Sequence, residues 1–176
     1  MHDPDPRILA RAQAGDLDAF ENLVRTYQAD VWRFSYSFTR DRALAEDVTQ
    51  EAFIRAFRFI RTFRGDAKFS SWLFRITRNC AMDAIRARKG NDERAQRQPA
   101  PVGPSDPETR AELNAALAAV SEAHREPFLL VEVFGLSYQE AADVLNVRVG
   151  TIKSRMHRAR QAMMSALVTE EDAGGL

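Results

Sequence analysis

Residues 135–155 read Gly135-Leu136-Ser137-Tyr138-Gln139-Glu140-Ala141-Ala142-Asp143-Val144-Leu145-Asn146-Val147-Arg148-Val149-Gly150-Thr151-Ile152-Lys153-Ser154-Arg155, and this stretch decides the architecture of the C-terminal part of the chain. Ser137 and Glu140 stand three apart at the head of an apolar run, the pattern of a capping box. The serine hydroxyl accepts from the N–H of Glu140, and the glutamate carboxylate accepts from the N–H of Ser137. A short helix to Leu145 follows, then the three-residue turn Asn146-Val147-Arg148, then a last helix from about Val149 to Leu167 with Ile152 and Met156 facing inward. Small side chains at Ala141 and Ala142 let the two helices cross closely, and the whole predicts a helix-turn-helix.

Charge divides the two helices. From Arg148 to Arg160 there are five basic residues and no acid, whereas Glu132 to Val147 holds three acids and no base. A charge run alone is often a solvated face, but a basic second helix beside an acidic first one suits entry into a major groove, where Arg and Lys meet phosphates and guanine edges. Working outward, Phe128, Leu129, Val131 and Glu132 predict a preceding helix that ends at Gly135. Pro127 lacks a backbone donor, so that helix begins near Arg125 or bends in its first turn. Leu113, Ala116, Leu117 and Val120 predict one more amphipathic helix.

Upstream, Pro99, Pro101, Gly103, Pro104 and Pro107 crowd together beside the polar stretch Lys89 to Gln98. This composition predicts a linker between two small domains. In the N-terminal segment Leu17, Phe20, Leu23, Val24, Tyr27, Val31, Phe34 and Phe38 recur at three- and four-residue steps, one apolar stripe on a long helix capped by Asp16. A second helix is expected from about Asp41 toward Phe63 and a third from about Ser70 to Ala84, separated by Arg64-Gly65-Asp66. No window alternates with period two for long enough to argue a strand, so the expected fold is all-α: an N-terminal helical bundle, a flexible linker and a C-terminal helix-turn-helix bundle.

Composition sets outer bounds. The chain has 176 residues, 45% apolar and 28% charged, which excludes collagenous, disulfide-scaffold and wholly disordered classes. Lys plus Arg and Asp plus Glu each number 25, so net charge is zero and a protein that coats nucleic acid indiscriminately is excluded. A single cysteine, Cys80, and three histidines supply neither a disulfide nor a closed metal set, and Cys80 falls on an apolar helix face as a core residue. Neither a signal peptide nor an apolar run of about 18 residues is present, so a cytoplasmic protein without membrane insertion is expected.

The neutral chain nonetheless has a strongly basic segment: between Phe53 and Gly90 ten basic residues face two acids. On the third helix Trp72, Arg75, Asn79, Asp83 and Arg86 fall on one face, opposite Leu73, Ile76, Cys80 and Ala84. An aromatic, cations and an amide on one face suit single-stranded nucleic acid, where bases stack and an amide reads a splayed edge. They also suit an ordinary polar face with a half-buried tryptophan. Asp41, Glu46, Asp47 and Glu51 cluster on the second helix with Gln50, and Asp47 and Glu51, four apart, repel until a cation joins them. No base or metal shell accompanies these carboxylates, so catalytic residues, a small-molecule substrate and cofactors are not expected. The residues alone leave open a non-catalytic nucleic-acid-binding factor, a stand-alone helix-turn-helix regulator binding a palindrome as a dimer, and a nucleic-acid-processing enzyme.

Four segments in order, Ala45-Glu46-Asp47-Val48-Thr49-Gln50-Glu51-Ala52-Phe53, then Phe63-Arg64-Gly65-Asp66 with Phe69-Ser70-Ser71-Trp72-Leu73, then Gly135 to Ala142, then Val149 to Arg155, resemble the extracytoplasmic-function sigma factors, the minimal two-domain bacterial sigma factors. The resemblance spans about Asp16 to Leu167. It implies a sigma region 2 domain over 1–89, a flexible linker over 90–107, a region 4 helix-turn-helix domain over 108–168 and an acidic tail over 169–176. It implies that Asp47, Gln50 and Glu51 dock on core RNA polymerase, whose largest-subunit clamp and flap are the expected contacts. Arg61, Arg64, Lys68, Trp72, Arg75, Arg78, Asn79 and Arg86 would meet the minus-10 element, with Asn79 aligned to a position that lines a flipped-base pocket. Thr151, Lys153, Ser154, His157 and Arg158 would meet the minus-35 duplex, with Arg155 and Arg160 as phosphate anchors. An anti-sigma partner is implied as well. His157 departs from what the family often carries there, so the minus-35 sequence is not to be copied from a relative.

Overall fold

The computed structural model describes residues 3–89 and 120–173, which fall into two separate helical units. Among the described residues there is no strand. The expected linker and the amphipathic helix through Leu113, Ala116 and Leu117 lie outside the described residues.

The N-terminal unit begins with a helix the sequence reading did not assign, α1 (Pro6–Gln13). Its signal is local: Asp5 caps Arg7 N–H at 2.8 Å and Pro6 takes the first helical position, where a missing N–H costs nothing. Gly15, at φ +96°, turns the chain, and Asp16 then caps α2 (Leu17–Thr39) by accepting from Ala19 N–H at 3.1 Å. Arg11 pairs with the same carboxylate at 2.6 Å. Of the expected apolar stripe, Leu23, Tyr27, Val31, Phe34 and Phe38 are buried, whereas Leu17 is 67% exposed because it occupies the first turn, beyond the bundle.

Arg40 closes α2 in the left-handed region (φ +49°), and Asp41 caps α3 (Arg42–Phe59) through Leu44 N–H. The second helix ends four residues earlier than expected: a 3₁₀ turn, Ile60–Thr62, tightens it, and Phe63 N–H closes onto Ile60 C=O at 3.1 Å. Gly65, at φ +77°, supplies the reversal expected of Arg64-Gly65-Asp66. The last helix, α4 (Phe69–Lys89), continues past Ala84. Helices α2, α3 and α4 pack mutually and α1 lies on α2. Phe34 meets Phe38 and Phe74 edge-on, each at 4.8 Å, and Tyr27 meets Phe69 at 5.4 Å. Burying each of these large side chains contributes about 1.5–3 kcal/mol.

In the C-terminal unit Pro127 has its own resolution. Helix α5 (Glu122–Phe128) starts before Arg125, the expected late start, and carries Pro127 inside it. The ring removes the donor and crowds the carbonyl four residues back, and the chain then widens into a π turn, Leu129–Val133, closed by Phe134 N–H on Leu129 C=O at 3.0 Å. Gly135 reverses at φ +70°. Helix α6 (Tyr138–Leu145) starts with both bonds of the expected capping box, Glu140 N–H to Ser137 Oγ at 3.2 Å and Ser137 N–H to Glu140 at 2.7 Å. Asn146, at φ +53°, ends it, and α7 (Val149–Ala173) follows. With neither glycine nor proline between Leu167 and Gly174, α7 runs beyond Leu167 into the segment expected to be a tail.

Candidate nucleic-acid interface

The basic edge of the N-terminal unit is built where α3 hands over to α4. Arg61 leaves the 3₁₀ turn, Arg64 and Lys68 flank Gly65, and all three are exposed. Along α4, Arg75, Asn79, Asp83 and Arg86 share the exposed face expected of them, and Arg78 is half-buried. Trp72 is the correction. It is only 9% exposed, packed at 5.3 Å from Phe63 and 5.5 Å from Phe69. The chain entering the loop folds Phe63 over the first turn of α4, so Trp72 supports the loop from beneath rather than offering a free ring. Phe63 and Phe69, six apart across a glycine turn, were the available signal.

On α3, Asp47 and Gln50 are exposed, but Glu51 is half-buried and accepts from Arg55 Nε at 2.7 Å. The repulsion expected between Asp47 and Glu51 is therefore relieved within the chain. The Glu-to-Arg step of four, with the acid on the N-terminal side, was legible in the sequence. Arg55 also reaches Asp83 of α4 at 3.1 Å, and Asp83 holds Arg86 at 3.3 Å. This network joins the acidic helix to the basic one and holds the Arg55 guanidinium in its charged form, through Glu51 first and then Asp83. Asp41, capping α3 and paired with Arg88 at 2.5 Å, is held below the ordinary carboxylate range by the Leu44 N–H first and Arg88 next. Cys80 is buried, and burial pushes its thiol up to about 11, which keeps it protonated and unreactive near neutral pH.

In the C-terminal unit Ile152, Met156 and Ala159 bury one side of α7. Lys153, Ser154, His157 and Arg158 stand exposed on the other, with Thr151 and Arg155 half-buried at its margins. Ser154 Oγ donates to Thr151 C=O at 3.0 Å. Arg160, expected as a phosphate anchor, is paired with Glu132 of the π turn at 2.6 Å. This ion pair bridges α7 and the preceding segment, and the Arg160 side chain stays exposed. At Gly150 an added Cβ would meet nothing within 4 Å, so packing within the chain does not require glycine there. Among the described residues no group of three His, Cys, Asp or Glu could hold a metal, and no helix is long and apolar enough to cross a membrane.

One helical unit with a basic edge and an acidic helix, and a second with a basic helix-turn-helix, define a two-part nucleic-acid-binding protein. Residues 23–90 match the Sigma-70 region 2 family and residues 110–163 the Sigma-70 region 4 family. The chain is 34% identical to the RNA polymerase sigma-H factor of Pseudomonas aeruginosa, with 93% of each covered. It is 32% identical to the ECF RNA polymerase sigma factor SigW of Bacillus subtilis, over 90% of this chain and 94% of the relative. To the ECF RNA polymerase sigma-E factor of Escherichia coli it is 34% identical, over 90% and 92%. Two solved structures are similar: CnrH in complex with the cytosolic domain of CnrY (27% identity, 92% and 96% covered, TM-score 0.70) and RpoE with the anti-sigma factor NepR from Bartonella quintana (26%, 84% and 96%, TM-score 0.72). The chain belongs to the extracytoplasmic-function RNA polymerase sigma factors, the non-catalytic factors that bind core RNA polymerase and promoter DNA and direct promoter-specific transcription initiation.

Proposed function

We propose a division of labour between the two units. The N-terminal unit docks on core polymerase through Asp47 and Gln50, with Glu51 shaping that face through Arg55, and captures the unpaired minus-10 strand with Arg61, Arg64, Lys68, Arg75 and Asn79. The C-terminal unit reads the minus-35 duplex through Lys153, Ser154, His157 and Arg158, with Thr151 and Arg155 at the groove margin. The reading is carried by one observation: Asn79, the one exposed amide among the cations of this edge, shares a face with Arg75, where an unstacked base edge can be read while cations meet the backbone. The protein works where core polymerase is, in the cytoplasm, and performs no chemistry itself. An anti-sigma protein covering these faces is the proposed regulator, as NepR accompanies the similar RpoE.

Run-off transcription by bacterial core polymerase on pooled fragments of the source genome tests this reading. New start sites preceded by two unlike, spaced motifs are expected. No stimulation, with the same preparation shifting palindromic duplex unaided, would transfer the protein to the stand-alone regulators.

A further inference from the structure

Arg64, Gly65, Asp66 and Ala67 make no hydrogen bond of their own among the described residues, so the basic loop takes its position from its two ends. The exit is fixed by Phe69, buried at the start of α4. The entrance is fixed from α1. Gln13, half-buried at the last position of that helix, donates its amide nitrogen to Phe63 C=O at 2.7 Å and to Ile60 C=O at 3.2 Å. Only the amide nitrogen of Gln13, with two N–H groups, can serve two carbonyls at once. Phe63 is thus held from both sides, its carbonyl by Gln13 and its ring by Phe69 and Trp72. Gln13 is itself anchored: Ala14 N–H bonds Ala10 C=O at 3.0 Å, Gly15 turns, and Arg11 pairs with Asp16 at the head of α2.

We infer that Gln13 is a positioning residue for capture of the unpaired strand, acting through the Ile60 and Phe63 carbonyls to aim the loop that carries Arg61, Arg64 and Lys68. The inference rests on the minus-10 reading above. With Gln13 in place the loop meets the strand already ordered. Without it the entrance must be ordered at the moment of binding, which lowers affinity and blurs the distinction between a correct and an incorrect base.

The test uses full-length protein assembled with core polymerase, and single-stranded DNA carrying the upstream motif found by start-site mapping, beside the same strand with one motif base changed. Gln13→Ala removes both donors, and Gln13→Glu keeps the shape but sets an acceptor-only carboxylate against two carbonyls. Gln13→Ala is expected to lower affinity for the motif strand about tenfold, the scale of two lost hydrogen bonds. Gln13→Glu should lower it further. Both should narrow the preference for the motif over the altered strand while core affinity stays within about twofold of wild type. Unchanged strand affinity and preference would overturn the inference. So would a parallel fall in core and strand affinity with the preference intact, which marks a general prop of the fold. If the wild-type holoenzyme itself fails to hold the motif strand, the minus-10 reading falls and the inference with it.

Discussion

The two basic faces of this protein are built in opposite ways. In the C-terminal unit the proposed reading element is one regular helix: Ile152, Met156 and Ala159 seat it, Arg160 pairs with Glu132, and Lys153, His157 and Arg158 project from it. In the N-terminal unit the corresponding edge is a loop with no hydrogen bonds of its own between Arg64 and Ala67 among the described residues, supported by an aromatic cluster and by Gln13, beside an ion-pair network that joins α3 to α4 through Glu51, Arg55, Asp83 and Arg86. A duplex brings its own shape, so a rigid helix suffices to read its groove. An unpaired strand brings none, and the protein has to supply the shape.

On that contrast, substitutions in the two units separate by template. The largest effect is expected from Asp47→Arg, which should weaken core binding more than tenfold by setting a cation where an acid is proposed to dock, with duplex recognition by α7 untouched; titration of labelled core measures it. Asn79→Ala follows, with about tenfold slower open-complex formation at unchanged core affinity, read by permanganate reactivity of the minus-10 thymines. The reverse order of these two would exchange the assigned roles. Arg158→Ala should cost about 1–3 kcal/mol at one minus-35 base pair if it reads a base, or lower the salt slope of binding by about one if it meets a phosphate.

Smaller effects concern stability. Ser137→Ala removes one half of the capping box and should destabilise the C-terminal unit by about 1 kcal/mol, seen in thermal melting, while the N-terminal transition stays put. Asp16 and Asp41 are both held below the ordinary value of 3.8, each chiefly by the N–H it caps and then by its arginine. Since their folded values are depressed, their stabilisation is complete above the unfolded value and is lost as pH falls below about 4. The N-terminal unit should therefore melt at progressively lower temperature through that acid window, by a margin that shrinks in high salt.

Local chemistry made much of this legible. The capping box at Ser137 and Glu140, the Asp16 cap, the turn at Asn146 and the period of α2 rest on residues near one another in sequence, and the structure reproduces them. What was not legible depends on partners far along the chain. Trp72 has the helical phase of an exposed residue and is covered only because Phe63 folds back over it. Arg160 reads as a free cation until Glu132 arrives from another segment. Gln13 carries no motif, and its role emerges only when α1 lies against the Ile60–Thr62 turn. Pro127 announced a disturbance without saying which kind, because a late start, a bend and a widened turn all accommodate the missing donor.

The claim that the N-terminal unit supplies shape to a single strand while the C-terminal unit reads a preformed groove is tested most directly with holoenzymes carrying Asn79→Ala or Arg158→Ala. Their affinities for single-stranded minus-10 DNA and for minus-35 duplex are measured separately by fluorescence anisotropy. Loss of strand binding alone in the first variant and of duplex binding alone in the second is the predicted result. An equal loss on both DNAs in either variant, or the crossed pattern, would contradict it.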